Sequence, residues 1–398
     1  MEHLKSILTS QGLYGAVLAT LVFVLIGYFV TRKGIFNKEI NGKLSKFLLD
    51  FALPFLCLVA FMQPANATIG KEVGIVLGLS AAFYILIGVY TTLVVRFFPR
   101  LMSHKLKAKA HEMWERTDKA VTSAKYEEAY VNSYAQKLLT AQLMVGYASL
   151  QFFAVPLIET LGASVFGKSG TALLQVWNLP YMIGAFSYVK IAYSGQKISK
   201  DQVKPILKAL VHPMLVVLYV SIILWALQFI PQIGATLTTN AKDPFNFTVA
   251  KEGAQFWAGF LKRFPVFAAI IIPGVKIISP LAWIVIGGSL ATSNLKLAVK
   301  DKGVWLTTAR KLITMPLFVF LITLALVASK AITPETGTLL VVLASCPPAA
   351  VTIIFSVAYK HEHSGFTAEV SSLSTLLCLV FMPIWTVAAH ATFQTIAA

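Results

Sequence analysis

The sequence predicts an all-α membrane protein of ten transmembrane helices, arranged as two groups of five. Three observations carry that prediction. The chain has 398 residues, of which 57% are hydrophobic and 13% charged, and its mean hydropathy is +0.73, whereas soluble domains carry about 25% charged residues. Apolar runs recur at the length of roughly 20 residues that a helix needs to cross about 30 Å of hydrocarbon. Basic residues cluster in alternate connecting segments, as expected of loops left on one side of a bilayer.

The spans follow in order. Gly12–Val30 is the first; its apolar core is too long for a signal peptide, and no small-residue cleavage site precedes Thr31-Arg32-Lys33. Leu44–Met62 is a broken second span, strongest from Phe51. Val73–Val95, Leu138–Ile158 and Ser169–Val189 complete the first five. Pro213–Ile230, Ile277–Leu295, Leu312–Ser329, Thr336–Tyr359 and Val370–Ala389 form the second five.

The net charge of +17 need not mean nucleic acid. With the N-terminus outside, the inner segments collect Arg32 to Lys46, Arg96 to Lys137, Lys190 to Lys208, Lys296 to Lys311 and Lys360, leaving a scatter such as Lys5, Lys71 and Lys168 outside. The expectation is therefore a multi-pass protein of the cell membrane with both termini outside. Cys57, Cys346 and Cys378 all fall within spans, read as apolar filler rather than disulfides or metal ligands.

Five is odd, so the second group must lie upside down relative to the first, the inverted-repeat logic of secondary transporters. Residues 1–195 hold the first repeat, 196–204 the inner connecting loop, and 205–398 the second repeat. Two insertions interrupt them: an inner, charged, helix-prone stretch at 101–137 and an outer one at 232–265, in which "FWAGFLKRF" reads as an interfacial amphipathic helix. N-x-T sequons at Asn66 and Asn246 fall outside.

Span 9 contains "ASCPPAAVTIIF", with Pro347 and Pro348 side by side. Proline lacks an N–H and costs about 3 kcal/mol in a helix interior, and irregular backbone at membrane depth is tolerated only in protein or beside a cavity. The helix is expected to unwind at Ser345, Cys346, Pro347 and Pro348 and to restart with a proline at its first position and Ser345 as cap. Thr352 follows in the restarted half. Span 4 has a subtler break, "VGYASLQFFAVP", which places Gly146, Tyr147, Ser149 and Gln151 at mid-depth, with Ser149 able to cap. Half-helix N-termini aimed at the membrane centre make a site for an anion.

With these motifs on the page, the chain resembles the auxin efflux carrier family, which includes plant auxin exporters and bacterial malate and malonate permeases. "TRKGIFNKEINGKLSKFLLDFALPFL", "PLAWIVIGGSLA" and "ASCPPAAVTIIFSVAYKH…VSSLSTLLCLVFMPIW" carry the resemblance, which covers the spans outside the two insertions. It implies ten helices in a 5+5 inverted repeat with broken helices 4 and 9 crossing at the substrate. The family often has Asn where this chain has Ser149, and Asn where this chain has Asp50.

Asp50 would lie about 15 Å into the membrane, where a charge is costly and marks function by default; it is the candidate for carrying a coupling ion, H+ or Na+. In span 5, Asn178 and Tyr181 lie three apart and share a face, with Gln175 beside them. The expected function is alternating-access transport of a small organic anion, a carboxylate of the malate or malonate type. Export of auxin-like aromatic acids, or a receptor that keeps the transporter fold, are the rivals. No zinc-protease motif or GxSxG elbow points to an enzyme. The expected partners are the anion and the lipid bilayer, with a homodimer left open, no nucleic acid and no cofactor.

Overall fold

The computed structural model describes residues 11–117, 119–195, 207, 211–230, 236–239, 247–249 and 254–397. The connecting loop expected at 196–204 and the sequon at Asn246 lie outside them. Apart from a small sheet, every element is helical. In chain order the main helices are α1 (Gln11–Arg32), α2 (Lys38–Phe47), α3 (Leu53–Ala60), α4 (Ala67–Leu101), α5 (Ser103–Glu115), α6 (Ser123–Gly146), α7 (Val155–Leu161), α8 (Gly170–Gly184) and α9 (Pro213–Leu227). Then come α10 (Pro265–Lys276), α11 (Ile278–Thr292), α12 (Lys302–Ala309), α13 (Met315–Ala328), α14 (Pro334–Ser345), α15 (Ala350–Ala358) and α16 (Ser364–Ala397). Among the described residues four stretches are long and apolar enough to cross a membrane: Ala67–Leu101, Pro265–Thr292, Lys302–Ala328 and Ser364–Ala397.

The sheet sits in the insertion at 232–265. β1 (Thr236–Thr239) runs antiparallel to both β2 (Phe247–Val249) and β3 (Ala254–Gln255), pairing Leu237 with Val249 and Thr236 with Gln255. The amphipathic helix expected beside it does not form. Only Phe260–Arg263 turns helically, and Trp257 is buried, its N–H donating to Gln228 Oε1 at 2.9 Å. The apolar residues of this stretch cap the bundle instead of lying on a lipid surface.

Prolines shape the helices in a regular way. A π-helical turn precedes each of three prolines: Leu48–Ala52 before Pro54, Leu150–Ala154 before Pro156 and Arg310–Thr314 before Pro316. A proline ring clashes with the carbonyl four residues back and leaves it unbonded. An extra residue in that turn moves the carbonyl aside. At Pro316 the freed carbonyl is Leu312 O, and Trp385 Nε1 donates to it at 2.8 Å.

Helices α1 and α11 are held together by backbone contact. A Cβ on Gly27 would fall 2.0 Å from Ile284 O, and one on Gly287 2.0 Å from Val24 O. With lipid tails as apolar as leucine, such small-residue contact is what drives helices together in a membrane. Asn41 strengthens it by donating to Val285 O (3.0 Å) and Ser289 Oγ (2.9 Å).

The connecting segments sort to two ends of the molecule. At one, Lys137 pairs with Asp301 at 3.2 Å, His363 Nε2 bonds Ser133 O at 2.8 Å and His361 Nε2 lies 3.2 Å from Gln136 Oε1. At the other, Thr333 N donates to Glu72 (2.8 Å), Gln394 to Glu335 (2.7 Å) and Ser169 to Gln63 (2.9 Å). The basic segments 101–137, 296–311 and 360 thus share an end. The insertion at 101–137 is helical, and its second helix is continuous with span 4: α6 runs unbroken from Ser123 to Gly146.

Candidate functional site

Two helices break, and the breaks meet. α6 ends at Gly146 because Tyr147 turns extended (φ −102, ψ 117), and α14 ends at Ser345 because Cys346 does (φ −63, ψ 148). The two unwound segments pair as an antiparallel bridge between Ala148 and Pro348. Ser149 N donates to Pro347 O at 2.8 Å, and Ala349 N to Tyr147 O at 2.9 Å. In this register Ala148 and Pro348 are a non-hydrogen-bonded pair, so the missing proline N–H leaves no gap in the ladder. The backbone groups that a break would strand in hydrocarbon are satisfied by the other break.

This corrects the expected caps. The prolines are not the first residues of the restarted helix; they lie in the crossing segment, and α15 starts at Ala350 with Ala349 in the capping position. Ser345 caps nothing: it closes α14, its hydroxyl donating back to Val342 O at 2.8 Å. Ser149 precedes the π turn but makes no side-chain capping bond. Thr352 donates to Ala349 O at 2.7 Å, tying the first turn of α15 to the crossover. Serine after a turn of helix bonds its own i−3 or i−4 carbonyl as readily as it caps, and sequence cannot separate the two.

The remaining expected residues surround the crossover. Tyr147 is buried and stacks against Tyr181, with ring centroids 5.9 Å apart. Gln175, Asn178 and Tyr181 follow one another at three-residue spacing on α8 and all are buried. Both amide atoms of Gln151, Gln175 and Asn178, and the hydroxyl of Tyr147, find no hydrogen-bond partner within the described residues. Burying such groups unpaired costs about 1–3 kcal/mol each. Cys346 serves as a donor, its Sγ 3.4 Å from Val342 O, and Cys378 Sγ lies 3.6 Å from Ser345 O.

Asp50 does not join this cluster. It sits in the π turn of span 2, where its Oδ1 lies 3.0 Å from His212 Nε2 at the start of α9. His212 is therefore its partner.

Sequence reasoning missed two residues here. Tyr84 of α4 packs its ring against Tyr147 (5.3 Å, tilted) and Tyr181 (5.7 Å, edge-on) and accepts from Trp177 Nε1 at 3.2 Å. Lys311 is only 1% exposed, and its Nζ donates to Val145 O at 3.1 Å. A lysine five residues before Pro316 was the available signal, since the π turn that proline induces rotates the residue inward. Tyr84, Tyr147, Pro180, Gly184 and Tyr188 line a largely apolar cavity of about 660 Å³ between α4 and α8.

The fold and this paired crossover define an integral membrane protein with a buried polar site between broken helices. Residues 13–105 match a family model described as membrane transport protein. The match spans α1 to α4 and stops before the crossover; it indicates a membrane transporter. No curated protein matches the chain.

Proposed function

We propose that the chain carries a small organic anion, a carboxylate of the malate or malonate type, across the cell membrane by alternating access. The observation that carries this reading is the hydrogen-bonded crossover of Tyr147–Ser149 with Cys346–Ala349 beside the unpaired amides of Gln151, Gln175 and Asn178. Half-helix ends at membrane depth present N–H groups to an anion. The architecture we infer is ten spans as a 5+5 inverted repeat, residues 1–195 and 205–398, with spans 3–5 and 8–10 moving against the rest and both termini outside. The match over residues 13–105 supports the resemblance to auxin efflux carriers.

A second reading, export of aromatic acids, is favoured by one observation: the aromatic-lined cavity of about 660 Å³ whose wall includes Tyr147. Asp50, with His212, is the candidate for ion coupling. The test is counterflow in liposomes holding the purified chain. Labelled malonate or malate should exchange, and Asn178→Leu should slow the exchange at least tenfold. Exchange of an aromatic acid but no dicarboxylate would select the second reading. Tight binding without exchange would make the chain a receptor.

A further inference from the structure

We propose that Lys311 is the counter-charge of the transported anion. This deepens the carboxylate reading and rests on it. Lys311 sits at membrane depth within the span Lys302–Ala328. Its ammonium has three donors, and among the described residues Val145 O is the one acceptor it meets at hydrogen-bond distance. Among the described residues no Asp or Glu lies within ion-pair distance of it. Its neighbour Arg310 is committed, donating to Gln142 Oε1 at 2.8 Å. Glu72, the one fully buried acid among the described residues, is occupied at the far end by Thr333 N.

A buried, uncompensated charge is among the costliest things a fold can hold. The negative end of α6 offsets only part of it, because a helix terminus amounts to about half a charge. At the crossover two helix C-termini (α6 and α14) face two restarted N-termini, so their half charges cancel to first order. What remains buried is the positive charge of Lys311, since Arg310, still charged beside the neutral amide it bonds, is only half-buried. The sulfur groups nearby, Cys346 and Cys378, are donors to α14 carbonyls and supply no counter-charge. A ligand bearing one negative charge at the unpaired amides completes the site, and the loaded crossover then moves with no net charge. A dianion would leave it one charge negative.

The experiment uses the full chain in liposomes and in nanodiscs, with sodium malonate, sodium phenylacetate and neutral malonamide as probes. Wild type should bind at least one carboxylate and not malonamide. Lys311→Gln should weaken that carboxylate at least tenfold, and Lys311→Arg should restore most of the loss. Equal affinity in a folded Lys311→Gln protein overturns the inference and leaves the carboxylate reading intact. Binding of malonamide but of neither carboxylate overturns the reading itself and this inference with it. A readout on unaltered protein covers the case in which Lys311→Gln fails to fold. Phenylacetate counterflow should not change when a potential is imposed with valinomycin, while malonate counterflow should change severalfold. A potential-dependent phenylacetate exchange overturns the pairing of one charge with one charge.

Discussion

At Cys346–Ala349 the chain cannot continue as a helix whatever surrounds it. Pro347 and Pro348 remove two N–H groups, and each biases its predecessor away from helical angles. In the last turn of α14, Val342 O is then closed locally by the Ser345 hydroxyl and the Cys346 thiol, and Ser345 O by the Cys378 thiol of α16. At Tyr147–Ser149 nothing local forbids a helix. Here the last turn of α6 is held by cations from the π turn before Pro316, Arg310 on Gln142 and Lys311 on Val145 O. One break is encoded in its own residues and the other by a distant helix. The lesson is that a paired site needs only one half to be stiff. The proline segment supplies a fixed edge, and the adaptable half pairs with it.

The sharpest way to break this contrast is to remove the stiff half. Pro347→Ala/Pro348→Ala lets the helix ladder close across the gap, so counterflow should fall by more than tenfold while the protein still inserts and unfolds cooperatively. Normal exchange would mean that the prolines only shape packing. The adaptable half is better tested by steric means. A Cβ on Gly146 would lie 2.5 Å from Ile87 Cγ2, so Gly146→Val should destabilise by about 2 kcal/mol, with Ile87→Ala recovering part of it; thermal unfolding of the pair reads the effect. Next in size is the distant cap. Arg310→Met removes a charged hydrogen bond from Gln142 and should cost about 1.5 kcal/mol, which a Gln142→Leu partner change should mask in a double-mutant cycle. Full additivity would show that the two do not act on one another.

The smallest effect concerns a second link between the two arms, away from the crossover. His361 and His363 follow α15 and contact Gln136 and Ser133 of α6. Burial, and then the neighbouring His363, hold the His361 imidazole below the usual value of about 6.5, against a weaker opposing pull from Glu362. With a folded value below the unfolded one, the unfolded chain binds more protons in that window. The contact's stabilisation is therefore present above about pH 6.5 and declines as the pH falls through the folded value. Protection against hydrogen exchange along Ser123–Gln136, taken relative to the intrinsic rate at each pH, should fall slightly between pH 7.5 and 5.5, roughly the span over which an imidazole titrates. His361→Gln should flatten that change; an unaltered profile would assign it to another group.

Much of this was legible in the sequence, for reasons the contrast makes plain. The helix at Ser345 ends where the prolines say it must, and Gly146 with Tyr147 marks the other end. Spans rich in apolar residues announce themselves by length. The π turn before Pro54, by contrast, left Asp50 looking like a lone buried acid, because its partner His212 comes from another helix. Serine's choice between capping and back-bonding was invisible because one hydroxyl can reach either, and the amphipathic stretch at 256–264 because its partner is distant. Its tryptophan is buried against Gln228 rather than lipid. Local chemistry reads from sequence; whatever a distant helix supplies does not. Lys311 is the strongest case, since a basic residue near a span's end reads as an anchor until a π turn carries it inside.

The bridge between the breaks also sets an order of events during synthesis. Ser149 N and Tyr147 O have as partners Pro347 O and Ala349 N, groups that are made late. Translation adds about 5–20 residues per second, so the first half waits some tens of seconds with those groups unpaired in a medium that offers no substitute. A ribosome that stalls between the halves therefore leaves a membrane-bound fragment with an open backbone edge at its centre. Such a fragment should be held by insertion chaperones or destroyed, and a split version of the chain should recover only when both pieces are made together.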